Sequence, residues 1–124
     1  MAKYEVTIRE HSFENLTARD RIAIKDISNA VQLDEATADG SVLITPANYA
    51  ILDIKNEASP DKEYVKYIII DTAGTKWVTG SNSFWNSFVG IAEEMKGEGE
   101  YQIECYKKPS KNYAGKSFLT CSIV

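Results

Sequence analysis

The sequence predicts a mainly β protein in which several strands are followed by one helix and a closing hairpin. Three observations lead to this prediction. Apolar and polar side chains alternate along most of the chain, and β-branched and aromatic residues are frequent in those stretches. One segment, residues 81–97, changes to a helical period. Two further alternating segments flank a polar stretch near the C-terminal end, which is typical of a β-hairpin.

Alternation in the first half of the chain predicts three strands. Residues 3–8, KYEVTI, alternate cleanly, and residues 21–27, RIAIKDI, place their isoleucines in a similar pattern. An Asp-Gly turn dipeptide then precedes a long strand, VLITPANYAILDIK, at residues 42–55. Pro46 lies within this strand and has no N–H for the ladder, so we expect a bend there.

The next two elements are a hairpin and a helix. Residues 64–80 contain two strands around a DTAG turn, because aspartate and glycine favour tight turns. In residues 81–97, aromatic and aliphatic side chains recur every three or four positions, a serine or asparagine is available as N-cap, and Gly97 ends the pattern. The residues expected to close the bottom of a barrel from this helix are Phe84, Trp85 and Phe88.

The closing hairpin comprises residues 101–108 and 116–124. If its centre lies near Tyr113, Cys105 and Cys121 face each other across the two strands, with no need for a disulfide. The side chains expected to point inward are Tyr101, Ile103, Cys105, Leu119, Cys121 and Ile123.

The order of these elements matches an OB-like Greek-key barrel of five or six strands, with one helix between the third or fourth strand and the last two strands, which form the closing hairpin. Residues 1–124 are expected to form one such domain, because a chain of 124 residues suits a single core. Residues 1–18 precede the part of the chain whose element order matches the OB-fold. We expect them to add a strand either to the barrel or to a neighbouring subunit. In the OB-fold, the loop between the last two strands and the face of the middle strands bind nucleic acid or sugars.

Composition and motifs argue against several classes of protein. The chain has no run of about eighteen apolar residues and no apolar N-terminal segment, so we expect no membrane contact and a cytoplasmic location. It has no nucleophile, phosphate-loop or metalloprotease motif, and one histidine with two cysteines does not suffice for a triad or metal cluster. We therefore expect no enzyme activity, no cofactor and no metal.

The tip of the closing hairpin is strongly basic. Four lysines and no acidic residue lie between positions 107 and 116, so the rest of the chain carries a charge of −8 against a total of −4. Single-stranded nucleic acid requires cations along its phosphates and flat rings for its unpaired bases, and this segment supplies both. The candidate binding residues are Tyr106, Lys107, Lys108, Lys111, Tyr113, Lys116 and Phe118. The alternative is a solvated hairpin tip in which the rings of Tyr106 and Phe118, both on the outward face, form a cross-strand pair.

The middle strands offer weaker candidates for the same role. Tyr64 and Lys66 share one face of the strand EYVKYIII, and the opposite face is expected to be core. Because isoleucines also follow on the Tyr64 side, burial of the strand on both faces is the alternative. Tyr49 is a third candidate, and alternation assigns no face to it or to Trp77.

Three short segments carry a resemblance to a known family. They are DGSVLITPANYAILDIK, a D-x-x-G turn within KEYVKYIIIDTAGTKWVTGSNSF, and S-K-x-x-x-G-K-x-F in the final hairpin. In these features residues 19–124 resemble the small OB-fold single-stranded DNA-binding proteins of bacteriophages, especially those of protein-primed phages of Gram-positive hosts. The resemblance implies a non-catalytic protein that coats single strands with little sequence preference during DNA replication. It assigns binding to Lys107, Lys111, Tyr113, Lys116 and Phe118, with Tyr49, Tyr64 and Lys66 as weaker candidates.

The expected partner is single-stranded DNA, and RNA stays open because stacking does not read the 2′-hydroxyl. Self-association along the strand and contacts with replication proteins are further expectations, in the host cytoplasm if the protein is phage-encoded. The alternative is a non-enzymatic OB-like interaction module of a phage or mobile-element complex, or a host-defence inhibitor. Such a module would contact a protein partner through its acidic face, formed by Glu93, Glu94, Glu98, Glu100 and Glu104.

Overall fold

The computed structural model describes residues 4–110 and 115–124, which contain eight strands and three helices. The strands are β1 (Tyr4–His11), β2 (Val31–Gln32), β3 (Val42–Ile44), β4 (Pro46–Asn56), β5 (Glu63–Asp71), β6 (Lys76–Thr79), β7 (Ile103–Pro109) and β8 (Ser117–Ile123). The helices are α1 (Ala18–Lys25), α2 (Leu33–Ala36) and α3 (Asn82–Glu94). The predicted mainly β class is confirmed, whereas the predicted five or six strands with an extra strand from residues 1–18, and one helix, fall below both observed counts.

The strands form two sheets. The first contains five strands in the order β1-β4-β5-β6-β2, with β2 and β6 parallel and the other neighbours antiparallel. The second contains three antiparallel strands in the order β3-β7-β8. In the described part of the chain β6 and β8 are not paired, so the two sheets do not close into a barrel.

The long strand predicted over residues 42–55 bends at Pro46, as expected. β3 ends at Ile44 and pairs with β7, while β4 begins at Pro46 and pairs with β5. The register of β4 on β5 shifts between Pro46 and Asn48, because proline supplies no N–H to the ladder. One continuous segment therefore passes from the three-stranded sheet into the five-stranded sheet.

Residues 21–27 do not form the expected strand. They belong largely to α1, which begins with a capping box. The Asp20 amide donates a hydrogen bond to the Thr17 hydroxyl at 3.1 Å, and the Thr17 amide donates one to the Asp20 carboxylate at 3.2 Å. The helix buries Ile24 and leaves Ile22 71% exposed, so the isoleucines do not share one strand face.

Two apolar clusters lie on the two faces of the five-stranded sheet. One fills the space between this sheet, α3 and the three-stranded sheet. The other lies between the five-stranded sheet and α1. Consecutive residues of β5 contribute to different clusters: Ile68 faces α1, and Ile69 faces α3. The alternative in which the strand EYVKYIII is buried on both faces at the end that carries its isoleucines is therefore confirmed.

The predicted hairpin turn between β5 and β6 is confirmed. The Asp71 carboxylate accepts hydrogen bonds from the backbone amides of Ala73 and Thr75 at 3.0 and 2.8 Å. It also accepts one from the indole N–H of Trp77 at 2.9 Å. Gly74 has a positive φ of 88°, a backbone conformation in which glycine avoids a Cβ clash. One carboxylate thus fixes the turn and the start of β6.

The N-terminal strand β1 pairs with β4 of the same chain, from Tyr4 opposite Asn56 to His11 opposite Ala50. A β-bulge shifts the register between Ile8 and Glu10. Of the two alternatives for residues 1–18, the structure therefore supports addition of a strand to the chain's own sheet.

The predicted helix is confirmed as α3. The hydroxyl of its N-cap, Ser81, accepts a hydrogen bond from the Phe84 amide at 3.2 Å. After the helix, Gly97 has a φ of 82°, in the left-handed region that commonly follows a helix end. Phe84 and Phe88 are fully buried between the two sheets, where they form the core rather than a plug at the bottom of a closed barrel.

Candidate nucleic-acid interface

β7 and β8 form the predicted closing hairpin in the expected register. Cys105 lies opposite Cys121, as the alternation predicts. Near the tip, the Ser110 amide donates a hydrogen bond to the Lys116 carbonyl at 2.9 Å, which extends the ladder beyond both strands. Two predicted binding residues lie outside the residues that the structure describes, Lys111 and Tyr113.

The inner face of the hairpin is anchored in the core beside α3. Burial raises the pKa of the Cys105 and Cys121 thiols to about 12, so both stay protonated at neutral pH and act as small apolar side chains. The expectation that Ile123 faces the core is wrong, because it lines an open groove beside α3 and is 49% exposed. The predicted inward side chains that the core does contain are Ile103, Cys105, Leu119 and Cys121, with Tyr101 packed against them.

The outer face of the three-stranded sheet carries the accessible ring of the hairpin. Phe118 is 38% exposed and lies directly opposite Lys108, which is exposed too. Tyr106 shares this face, but it is half-buried and its hydroxyl hydrogen-bonds with the Ser122 hydroxyl at 2.8 Å. Leu43 of β3, which sequence reasoning did not single out, is a further exposed apolar side chain on this face. The pairing of β3 with β7 places Leu43 on this face, and no local sequence pattern predicts that pairing.

The three described lysines of the hairpin are exposed: Lys107, Lys108 and Lys116. Within residues 4–110 and 115–124, no carboxylate forms a salt bridge with any of them. The sequence contains no acidic residue after Glu104, so no carboxylate side chain of the C-terminal segment offsets their charge. The hairpin is therefore a cationic surface on a protein of net charge −4.

Helix α3 covers the edge of β8 and supports the hairpin. Ser83 Oγ donates a hydrogen bond to the Leu119 carbonyl at 2.9 Å, and the hydroxyls of Ser87 and Thr120 hydrogen-bond at 3.1 Å. A helix that bonds to an edge strand occupies backbone groups that could otherwise pair with another chain. Sequence reasoning missed both serines, although their spacing of four places them on one helix face.

Tyr64 and Lys66 lie on a different side of the molecule. Both belong to the face of the five-stranded sheet that α1 covers, and Tyr64 is half-buried against that cluster. The Lys66 ammonium lies 6.0 Å from the centroid of the Tyr64 ring, within the range of a cation–π contact. The structure therefore does not bring these two candidates together with Phe118.

Tyr49 points into the layer between the two sheets. Its ring makes edge contacts with Trp85 and Phe88, with centroid distances of 5.6 and 5.5 Å. Trp77 packs against the same cluster. Both rings stabilise the core and are not presented to a ligand on an outer face.

An open groove of about 440 Å³ lies between β1, β4 and β5. It contains both signs of charge, and these are paired within the groove. The Arg9 guanidinium forms a salt bridge with Asp53, and this hydrogen bond raises the arginine pKa. Lys55 and Glu63 form a second salt bridge at 3.8 Å. Because these cations already have carboxylate partners, the groove offers fewer unpaired cations to a phosphate chain than the hairpin does.

No family model matches the chain, and no curated protein or solved structure matches it either. Within the described ranges, no three histidine, cysteine or acidic side chains are grouped so that they could hold a metal ion. The helices of the described residues are all too short or too polar to cross a membrane.

Proposed function

We propose that the protein binds single-stranded DNA with little sequence preference and without catalysis, through the hairpin formed by β7 and β8. One observation carries this proposal. Phe118, an exposed ring on the outer face of a sheet, lies directly opposite Lys108 on the same face. Lys107, opposite the buried Leu119 and so on the other face, and Lys116 are further exposed lysines of the hairpin, and none of the three has a carboxylate partner among the described residues.

The chemistry of such a surface favours single strands over duplexes. A base can stack on an aromatic side chain only after it has left the base stack of a duplex. In a single strand each such contact contributes roughly 1–3 kcal/mol. Lysines beside the ring neutralise phosphates and release counterions, which makes the affinity depend on salt. The acidic remainder of the chain keeps the affinity modest and confines the nucleic acid to the hairpin.

The proposal includes an OB-like arrangement, and the order of pairing supports it. β3 and β4 form one bent strand that pairs with both β7 and β5, and α3 stands between β6 and the final hairpin. OB-folds are described as partly open barrels, which is compatible with the unpaired β6 and β8. β1, α1, β2 and α2 are then additions to that common part.

The biological role follows from the resemblance of the three quoted segments, which lie between residues 39 and 118, to phage proteins that coat single strands. In that role the protein would protect single-stranded DNA during phage or mobile-element replication, in the host cytoplasm, and would meet replication proteins there. A ring and three ammonium groups do not distinguish deoxyribose from ribose, so an RNA oligonucleotide belongs in every binding experiment.

The test is a variant in which Lys107, Lys108 and Lys116 are all changed to glutamine. Its matched control changes three other exposed lysines, Lys25, Lys62 and Lys96, to glutamine, which removes the same charge elsewhere. Binding of a fluorescent oligo-dT of about thirty nucleotides is followed between about 50 and 200 mM salt.

A plot of the logarithm of the association constant against the logarithm of the salt concentration has a negative slope. Its magnitude should be smaller by roughly 2 in the hairpin variant, because each phosphate contact contributes about 0.7 for single strands. The control should keep the wild-type slope, and both variants should melt close to the wild-type temperature because these side chains are exposed. Equal slopes in the hairpin variant and the wild type would show that the hairpin is not the binding site.

A further inference from the structure

A second open groove lies between the outer side of α3 and the C-terminal end of β8. Its volume is about 440 Å³, within the range of about 300–1,000 Å³ that ligand pockets occupy. Ile91 and Met95 form its wall on the helix, Ile123 forms its wall on the strand, and Gly90 lies between them. The lining is mainly apolar, although the groove is open to solvent.

The apolar side chains of this groove are only partly covered. Ile91 and Met95 are half-buried, while Ile123 is 49% exposed and the following residue, Val124, is 72% exposed. Single exposed aliphatic residues are common on protein surfaces, but here several border one concave site. Their burial requires another molecule.

Gly90 keeps the floor of the groove open. It lies in the interior of α3, where glycine destabilises a helix relative to alanine. No atom lies within 4 Å of the position that a Cβ would occupy there, so close packing does not require this glycine. Its effect in the structure is to leave space that a larger side chain would fill.

The rim of the groove carries one carboxylate, Glu94, in a position where acidity is unfavourable. With Glu93, which precedes it in the chain, Glu94 lies in the last turn of α3, where carboxylates oppose the helix dipole. In residues 4–110 and 115–124 no salt bridge neutralises either of them. Exposed Glu98 and Glu100 follow, against one cation, Lys96. A positively charged partner would relieve this repulsion.

We propose that this groove binds a short segment of a partner protein in which apolar side chains are flanked by lysine or arginine. The apolar side chains would fill the space above Gly90, and a cation would meet Glu94 on the rim. Glu94, with Glu93 beside it in the chain, repels nucleic-acid phosphates and anionic lipids, so charge complementarity selects a basic protein segment. The surface is separate from the hairpin tip, because β8 carries Ile123 about 20 Å from Ser117. DNA and partner can therefore be bound at the same time, and neither proposal depends on the other.

The experiment selects peptides from a random library of short displayed sequences with the full-length protein and measures the affinity of the synthesised peptides by anisotropy. Two variants alter the groove: Gly90→Leu fills its floor, and Glu94→Lys reverses its rim. Two matched controls make the same changes at exposed positions elsewhere, Gly40→Leu, where a Cβ also meets open space, and Glu14→Lys.

The selected peptides should combine apolar residues with lysine or arginine and should bind at least tenfold more weakly to both groove variants than to either control. Oligo-dT affinity, measured on the same four variants, should be unchanged by Gly90→Leu, which separates this result from the test of DNA binding. Selection of no peptide, or of peptides that bind all four variants equally, would overturn the proposal. Self-association of the wild-type protein that Gly90→Leu abolishes would overturn it too, because a second copy would then occupy the groove.

Discussion

Replacing Phe118 with leucine should weaken the binding of single-stranded DNA and leave the fold intact. Leucine keeps an apolar side chain on the outer face of the three-stranded sheet, although it is smaller than phenylalanine. Large-to-small changes cost most where the site is fully buried, and Phe118 is 38% exposed, so the packing loss is limited. The flat surface for a base, however, is lost. A stacked base contributes roughly 1–3 kcal/mol, which corresponds to an affinity loss of roughly 5- to 150-fold.

The assay is fluorescence anisotropy of labelled oligo-dT at low salt, together with thermal melting of each variant. Leu43→Ala is the matched control, because it removes apolar surface from the same face without removing a ring. Tyr106→Leu should have a smaller effect than Phe118→Leu, since the tyrosine ring is half-buried and its hydroxyl is bonded to Ser122. If Phe118→Leu binds like the wild type, or if it and Leu43→Ala lose affinity equally, stacking on Phe118 is not part of recognition.

Three further predictions concern stability, each measured by denaturant unfolding. Gly90→Ala should raise the free energy of unfolding by about 0.5–1 kcal/mol, since the helix gains propensity and the new Cβ meets no atom; a loss of stability would refute the open floor of the groove. Asp71→Ala should lower it by about 2–3 kcal/mol, because two turn amides and the indole of Trp77 lose their acceptor; a change below about 0.5 kcal/mol would contradict this role. Stability should fall as pH rises from about 9 to about 12, because the unfolded cysteines ionise near 9.0 and Cys105 and Cys121 ionise only near 12 in the fold, so that the unfolded state releases these protons first. The double change of both cysteines to alanine should remove that part of the pH dependence, and an unchanged slope would show that the thiols are not its source.

The closing hairpin was the most predictable part of the fold, because alternation on both strands assigns the faces and a hairpin centre near Tyr113 then gives the register. Once Cys105 lies opposite Cys121, all the remaining pairs of the hairpin follow, including Lys108 with Phe118. The turn before β6 was equally predictable from sequence, since the aspartate and glycine of its DTAG segment have local preferences for tight turns.

The α1 segment shows where alternation fails. Isoleucines at 22, 24 and 27 satisfy a strand pattern loosely and a helix pattern loosely as well. The decisive signal was the capping box of Thr17 and Asp20, in which aspartate takes the place of the more usual glutamate or glutamine.

The missed helix also explains the weaker part of the predicted site. Because α1 covers one face of the five-stranded sheet, the face of Tyr64 and Lys66 is largely buried under it. Alternation states which side chains of a strand share a face, but tertiary packing decides which face is covered. Tyr49 illustrates the same limit, since its contacts with Trp85 and Phe88 depend on how α3 lies over the sheet.

The most direct test of the account is a titration of the wild-type protein with oligo-dT of about thirty nucleotides, with a duplex and an RNA oligonucleotide of equal length as comparisons, at about 50 and 200 mM salt. Binding through an exposed ring and lysines should give saturable binding of the single strand that weakens with salt, and much weaker binding of the duplex. Absence of binding to any single strand at the lower salt concentration, or equal binding of single strand and duplex, would contradict it.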